Sequence, residues 1–239
     1  MAEKKSLEIT WLGHATVKVL TPAGTTIVID PWLEGNPAYP GDSGALDRVD
    51  LMLLTHGHGD HIGGAEPLAK KHKPTVVGIF ELAGLMAGRG IENTVGMNIG
   101  GTHKFKDVTI HMTEARHSSG VEHEGKFLYA GEAAGFVLEI ENAPTVYHSG
   151  DTALFYDMKI IGEFLKPQIA MLPIGDFYTM GPRQAAAAAE WLGAKVILPI
   201  HFGTFPALHG RPEHLRAELK ARGATPEVID WKPGDTYTL

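Results

Sequence analysis

The chain contains no cysteine, which excludes disulfides, thiolate metal ligands and cysteine nucleophiles together. No apolar run approaches the roughly 18–20 residues that span a bilayer, so no membrane partner is expected. Met1–Ser6 is too charged for a secretory signal, and a cytoplasmic location follows as the expectation. Basic charge is also short. Against 28 Asp and Glu stand 21 Lys and Arg, and the net −7 has the wrong sign for a nucleic-acid partner. Three catalytic signatures are missing: a G-x-S-x-G elbow, a G-x-x-x-x-G-K-[ST] phosphate loop, and a G-x-G-x-x-G turn between strand and helix. A composition of 44% hydrophobic and 21% charged residues excludes general disorder. What the chain has in excess is histidine, thirteen in 239 residues, pointing to metal binding or proton transfer.

Apolar and β-branched runs predict strands at Leu7–Leu12, Ala15–Leu20, Thr25–Asp30, Leu51–Leu54, Thr75–Ile79, Val108–Met112, Phe127–Ala130, Phe136–Ile140, Thr145–His148, Ile169–Ile174 and Val196–Ile200. Helical patterns fall at Gly64–His72, Glu81–Ala87, Arg183–Leu192 and Pro212–Arg222. Lys70, Lys71 and Lys73 close the first of these, where they complement the helix dipole and need no nucleic acid. The first three strands follow at hairpin spacing and later ones alternate with helices. That order predicts an α/β (or α+β) chain, residues 1–239 forming one domain of mixed sheets in two halves with helices outside.

The decisive stretch is Leu51-Met52-Leu53-Leu54-Thr55-His56-Gly57-His58-Gly59-Asp60-His61. An apolar strand runs into four ligand-type side chains within six residues. Without a cation, such crowding would cost desolvation and mutual repulsion. The two glycines are expected to take a tight, partly positive-φ path. His56 and His58 should point to one place, with Asp60 and His61 aiming from the following turn at a second. Three further ligand types sit just past strand ends, as a site at one sheet edge requires: His117, Asp151 and His201.

These residues resemble the metallo-β-lactamase-fold hydrolases, whose signature is H-x-H-x-D-H. Within that superfamily the chain looks like an uncharacterised metal-dependent hydrolase group related to ascorbate-phosphate lactonase and N-acyl phosphatidylethanolamine phospholipase D. The likeness runs from Trp11-Leu12-Gly13-His14-Ala15 through Ile29-Asp30-Pro31-Trp32, Arg116-His117-Ser118-Ser119, Ser149-Gly150-Asp151-Thr152 and Tyr178–Pro182 to Ile200-His201-Phe202-Gly203-Thr204. It implies a four-layer αββα sandwich of two mixed sheets with two divalent ions at one edge. His56, His58 and His117 would hold the first ion, Asp60, His61 and His201 the second, and Asp151 would bridge them. The all-N/O donor set disfavours copper(I); zinc or manganese fits best, with iron and nickel open.

Other positions carry two readings each. Asp30 either accepts the free N–H of a ligand histidine or serves a turn. His14 either meets substrate, donating a proton to a leaving group, or is structural. Glu132 could reach the substrate from a hairpin loop. Tyr178, Thr179 and Met180 could line the pocket mouth, while Asp176 stands where relatives lead us to expect a small residue. His148 is expected to pack in the core, and His72, His103, His111, His123, His209 and His214 at the surface or in packing.

The implied chemistry is a dinuclear hydrolase. Two cations roughly 3.5–4 Å apart would share a water, and hydroxide would attack a small lactone, ester or phosphate ester. Asp60 would orient the nucleophile. Two alternatives share the scaffold, a nuclease and an iron-bearing redox or oxygen-handling module. The negative charge speaks against the first. Against the second, diiron relatives place a glutamate where His58 sits. The expected partner is a small-molecule substrate, and a homo-oligomer is compatible with the composition.

Overall fold

The computed structural model describes residues 6–41 and 46–239, and the charged residues 1–5 lie outside it. Strands β1 (Glu8–Trp11), β2 (Val17–Leu20) and β3 (Thr26–Ile29) form the expected antiparallel meander. There follow β4 (Leu51–Leu53), α1 (Gly59–Ile62), α2 (Ala65–His72), β5 (Thr75–Ile79), α3 (Phe80–Gly88) and β6 (Thr94–Met97). The second half holds β7 (Thr102–Phe105), β8 (Val108–Glu114), a hairpin of β9 (Gly120–His123) and β10 (Lys126–Tyr129), β11 (Ala134–Ile140) and β12 (Val146–His148). It continues through α4 (Met158–Phe164), β13 (Ile169–Pro173), α5 (Pro182–Leu192), β14 (Val196–Ile200), α6 (Pro212–Arg222), β15 (Glu227–Val228) and β16 (Thr236–Thr238).

Two seven-stranded mixed sheets result, ordered β16-β1-β2-β3-β4-β5-β6 and β15-β14-β13-β12-β11-β8-β7. Period-2 alternation sorts their side chains into layers. In β11, Phe136, Leu138 and Ile140 join one core cluster with Ile9, Val17 and Ile29 of the first sheet. Val137, between them, points the other way and packs with Met158 and Ile161 of α4 and Leu215 of α6. Met171 and Leu198 likewise face the inner cluster, while Ala170, Leu172 and Ile197 meet the alanine face of α5. On the far side, Leu68 and Ala69 of α2 and Leu82 and Met86 of α3 are buried with the first sheet. The order of layers is helix, sheet, sheet, helix.

The elements absent from the apolar pattern are α1, α4, β6, β7, β9, β15 and β16. Strands β6 and β7 are sheet edges, half-exposed and polar enough to hide their period. Strand β16 exists by pairing with β1 from the opposite end of the chain, a contact that no local window contains. Among the described residues no helix is long and apolar enough to cross a membrane.

Candidate metal centre

The histidine motif begins three residues after β4, and every other member of the cluster also follows a strand: His14 after β1, Asp30 after β3, His117 after β8, Asp151 after β12 and His201 after β14. The fold gathers all of them at one edge. Ring centroids of His56 and His58 lie 4.6 Å apart, and those of His117 lie 5.0 and 5.1 Å from the two. One nitrogen from each of these three rings can meet a single ion. A second such group is His14, Asp60, His61 and His201. Asp151 joins the two, its Oδ2 standing 3.0 Å from His201 Nε2, 3.3 Å from His61 Nε2 and 3.6 Å from His117 Nε2.

Hydrogen bonds decide which nitrogen each ring offers. Asp30, fully buried, accepts the Thr55 N–H at 2.8 Å and the Thr55 hydroxyl at 2.6 Å. It also accepts His61 Nδ1–H at 2.7 Å. Because the Thr55 proton goes to Asp30, the Thr55 oxygen must accept from His56 Nδ1, 3.0 Å away. Both rings therefore carry a proton on Nδ1 and turn Nε2 into the cluster, His56 as a neutral ring with its lone pair there. Of the two readings of Asp30, the geometry carries the first: it orients ligand-type histidines, as outer carboxylates do around metals.

The charges are arranged for cations. Burial holds the pKa of His56 well below the usual imidazole value, and lowers those of His58 and His117, leaving neutral rings. At His61 burial also opposes charge, yet the carboxylates of Asp151 and Asp30 prevail and raise its pKa well above 6.5. Burial would likewise raise Asp151, but His201 and His61 hold it well below the carboxylate range. His61 Nε2, Asp151 Oδ1 and His201 Nδ1 are buried without a hydrogen-bond partner. Three orphaned atoms of an N/O donor set, centred on a carboxylate ringed by imidazoles, fit divalent cations.

His14 is placed more deeply than its sequence position suggested. It is fully buried in a left-handed backbone conformation (φ 57°), with its carbonyl held by Trp11 Nε1–H and His201 N–H at 2.9 Å each. Nε2 donates to Asp60 Oδ2 at 3.0 Å and Nδ1 lies 3.0 Å from the Thr204 hydroxyl. Burial lowers its pKa to about 4 against the opposing pull of Asp60, so the neutral ring accepts the Thr204 proton. Burial pushes Asp60 upward, but the His14 bond and the nearby His61 outweigh it and keep the carboxylate ionised.

The structure corrects two expectations. Neither Gly57 nor Gly59 has a positive φ. Gly57 is required by contact instead: a Cβ there would meet Ala130 Cβ at 2.8 Å and Val121 Cγ2 at 2.9 Å. Met180 cannot line a pocket mouth, because it is fully buried in the core beneath α5. Glu132 is exposed in its loop and accepts the Tyr129 hydroxyl at 3.0 Å. Tyr178 is exposed and packs edge-on against Phe177. Asp176 adopts φ 69° and accepts the Phe177 N–H, a turn role that its short acceptor side chain permits.

Sequence reasoning missed Thr55 and Thr204, whose hydroxyls were invisible as tautomer-setting groups. It also undervalued His148. That buried ring donates Nε2–H to Ala15 O at 3.0 Å and accepts the Gly150 N–H at 3.1 Å, fixing the turn that delivers Asp151. Gly150 holds φ 62° there, and a Cβ would stand 2.5 Å from Ala134 O.

Comparison with known proteins agrees with this geometry. Residues 25–202 match the model of the beta-lactamase superfamily domain. A UPF0173 metal-dependent hydrolase of Koribacter versatilis is 52% identical over 98% of this chain and 99% of its own. The metallo hydrolase Igni18 of Ignicoccus hospitalis superposes with a TM-score of 0.86 at 32% identity, covering 98% of this chain and 99% of that one. An isothiocyanate hydrolase from Delia radicum gut bacteria gives 0.74 at 25% identity, over 96% and 98% of the two chains. The chain belongs to the beta-lactamase superfamily, and it is a metal-dependent hydrolase of the metallo-β-lactamase fold.

Proposed function

We propose that the chain hydrolyses a small-molecule substrate at a dinuclear centre, with His56, His58 and His117 holding one divalent ion, Asp60, His61 and His201 the other, and Asp151 between them. The observation that carries this reading is the Asp151 carboxylate, within 3.6 Å of imidazole nitrogens from both groups and with one oxygen left unpartnered. Zinc or manganese suits the donors best. Two bound cations would supply Lewis acidity and an acidified water at neutral pH.

The chain's own residues supply the rest. Asp60, kept ionised and about one-third exposed at its side chain, can accept the proton of an attacking water. His14 holds that carboxylate in place through Nε2. No side chain need act as nucleophile, in keeping with the missing serine and cysteine motifs. Small lactones, esters and phosphate esters are the substrate classes this machinery suits, and the isothiocyanate hydrolase of related fold adds isothiocyanates. The test is reconstitution with zinc or manganese followed by hydrolysis assays on these four classes. Turnover abolished by chelation and restored by metal is expected for at least one class. Metal-loaded protein inert toward all four would remove the reading.

The role of His14 has its own test. In His14→Ala, Asp60 loses its hydrogen-bond partner and is free to swing. Turnover is expected to fall by about 10–100-fold, the usual cost of losing an outer-shell partner, with metal content reduced less. Thr204→Val should reproduce part of that loss by freeing the ring to change tautomer. Full activity in His14→Ala would make the residue purely structural.

A further inference from the structure

The outer face of α4 does not look like a solvent face. Tyr156, Ile160 and Phe164 recur every four residues and are 67%, 52% and 74% exposed. At about 100° per residue Ile160 and Phe164 share one stripe of α4, and Tyr156 extends it from the turn just before the helix. The opposite side is fully engaged: Met158 and Ile161 are buried, and a Cβ on Gly162 would stand 2.5 Å from Trp191 O of α5. Beside the stripe opens an apolar groove of 330 Å³ lined by Ile99, Met112, Phe155, Ile160, Ile161 and Phe164. A dry cavity of about 150 Å³ already admits benzene, so this one has room for an aromatic side chain.

Charge identifies the occupant. Lys159 and Glu163 lie on the same flank of the stripe, one turn apart and exposed. They are four residues apart, yet Lys159 turns toward its own aromatic neighbours, 4.5 Å above the Tyr156 ring and 5.2 Å from that of Trp191. Among the described residues, no cation pairs with Glu163. When two identical helices pair antiparallel about a twofold axis, the same flank of each meets the other. With the axis level with residues 161–162, Ile160 comes within one residue rise, about 1.5 Å, of the level of Phe164 of the second copy, and Lys159 equally near that of Glu163 of the second copy. One register thus pairs the apolar stripe with itself and the charges with their opposites, twice by symmetry.

We propose that α4 and its adjoining groove are the self-complementary surface on which a second copy of this chain docks, antiparallel and isologous. Phe164 of each copy sits against Ile160 at the mouth of the other's groove. The face lies on the outer helical layer.

Sedimentation equilibrium of the intact protein across the micromolar range tests this. The wild type is expected to dimerise, and Phe164→Glu to raise the dissociation constant about tenfold or more, as loss of a central aromatic anchor does. Lys159→Glu and Glu163→Lys should each weaken dimerisation several-fold, since each sets like charges opposite each other at both ends of the interface. An equimolar mixture of these two variants should recover dimer, because each then faces its opposite. Circular dichroism melts check that the variants are folded, and the charge variants keep the test intact if Phe164→Glu does not fold. A wild type monomeric throughout would overturn the proposal. So would an oligomer indifferent to all three substitutions, or a mixture that recovers nothing.

Discussion

Asp151→Ala is expected to lose function more completely than removal of any single histidine. Its carboxylate reaches both halves of the cluster, with His201, His61 and His117 nitrogens at 3.0, 3.3 and 3.6 Å from one oxygen. Two cations a few ångströms apart repel strongly in a buried site, and a shared carboxylate cancels part of that repulsion while setting their separation. Without it the group of Asp60, His61 and His201 must hold a cation against the unshielded field of its neighbour, and that position should empty first. Turnover should fall by more than the roughly 10–100-fold that an outer partner costs. Asp151→Asn separates charge from shape. Its amide oxygen can still ligate but cannot neutralise, so it should retain more metal than alanine while staying nearly inactive. Metal content and turnover of the three proteins, measured side by side, decide it. Two tightly held ions with near-normal turnover in Asp151→Ala would contradict the bridge.

Asp30→Asn should be nearly as damaging, although Asp30 is not placed among the ligands. Its carboxylate takes protons from His61 Nδ1 and from the Thr55 hydroxyl, and through Thr55 it sets the proton on His56. An amide can keep the Thr55 N–H contact through its oxygen, but its NH2 then faces two donors. His61 must give up its Nδ1 proton and keep one on Nε2. The Thr55 hydroxyl must turn toward His56, moving that ring's proton to Nε2 as well. One nitrogen in each half of the cluster is then blocked by a proton that a cation must displace. Metal affinity should drop by about 10–100-fold at both positions while the fold persists. Nitrogen-15 shifts of the histidine side chains in metal-free protein should report the exchanged tautomers. Unchanged tautomers together with wild-type affinity would return Asp30 to a simple turn role.

The parts legible in the sequence were those whose signal is local. His56, His58, Asp60 and His61 stand within six residues after an apolar strand, and the period-2 runs that became β1 to β5 needed no distant partner. The two-sheet layering followed from the order of those runs. Illegible were the links made across the fold. Thr55 is an unremarkable strand-end threonine until Asp30 stands 2.6 Å from its hydroxyl. His148 resembles any core histidine until its ring is seen holding the Gly150 N–H. Gly57 invited an explanation from backbone freedom, whereas what forbids a side chain there is the arrival of Ala130 and Val121 from the β9–β10 hairpin. Met180 adjoins exposed residues in sequence, and only the packing beneath α5 shows that it faces inward.

The central claim is that the two side-chain groups hold two ions joined by Asp151. Elemental analysis per chain tests it most directly, on protein stripped by chelator, reloaded separately with zinc and with manganese, and freed of excess metal. Close to two ions per chain is the expected result, falling to one or fewer in Asp151→Ala. One ion or none in the wild type after both reloadings would contradict it.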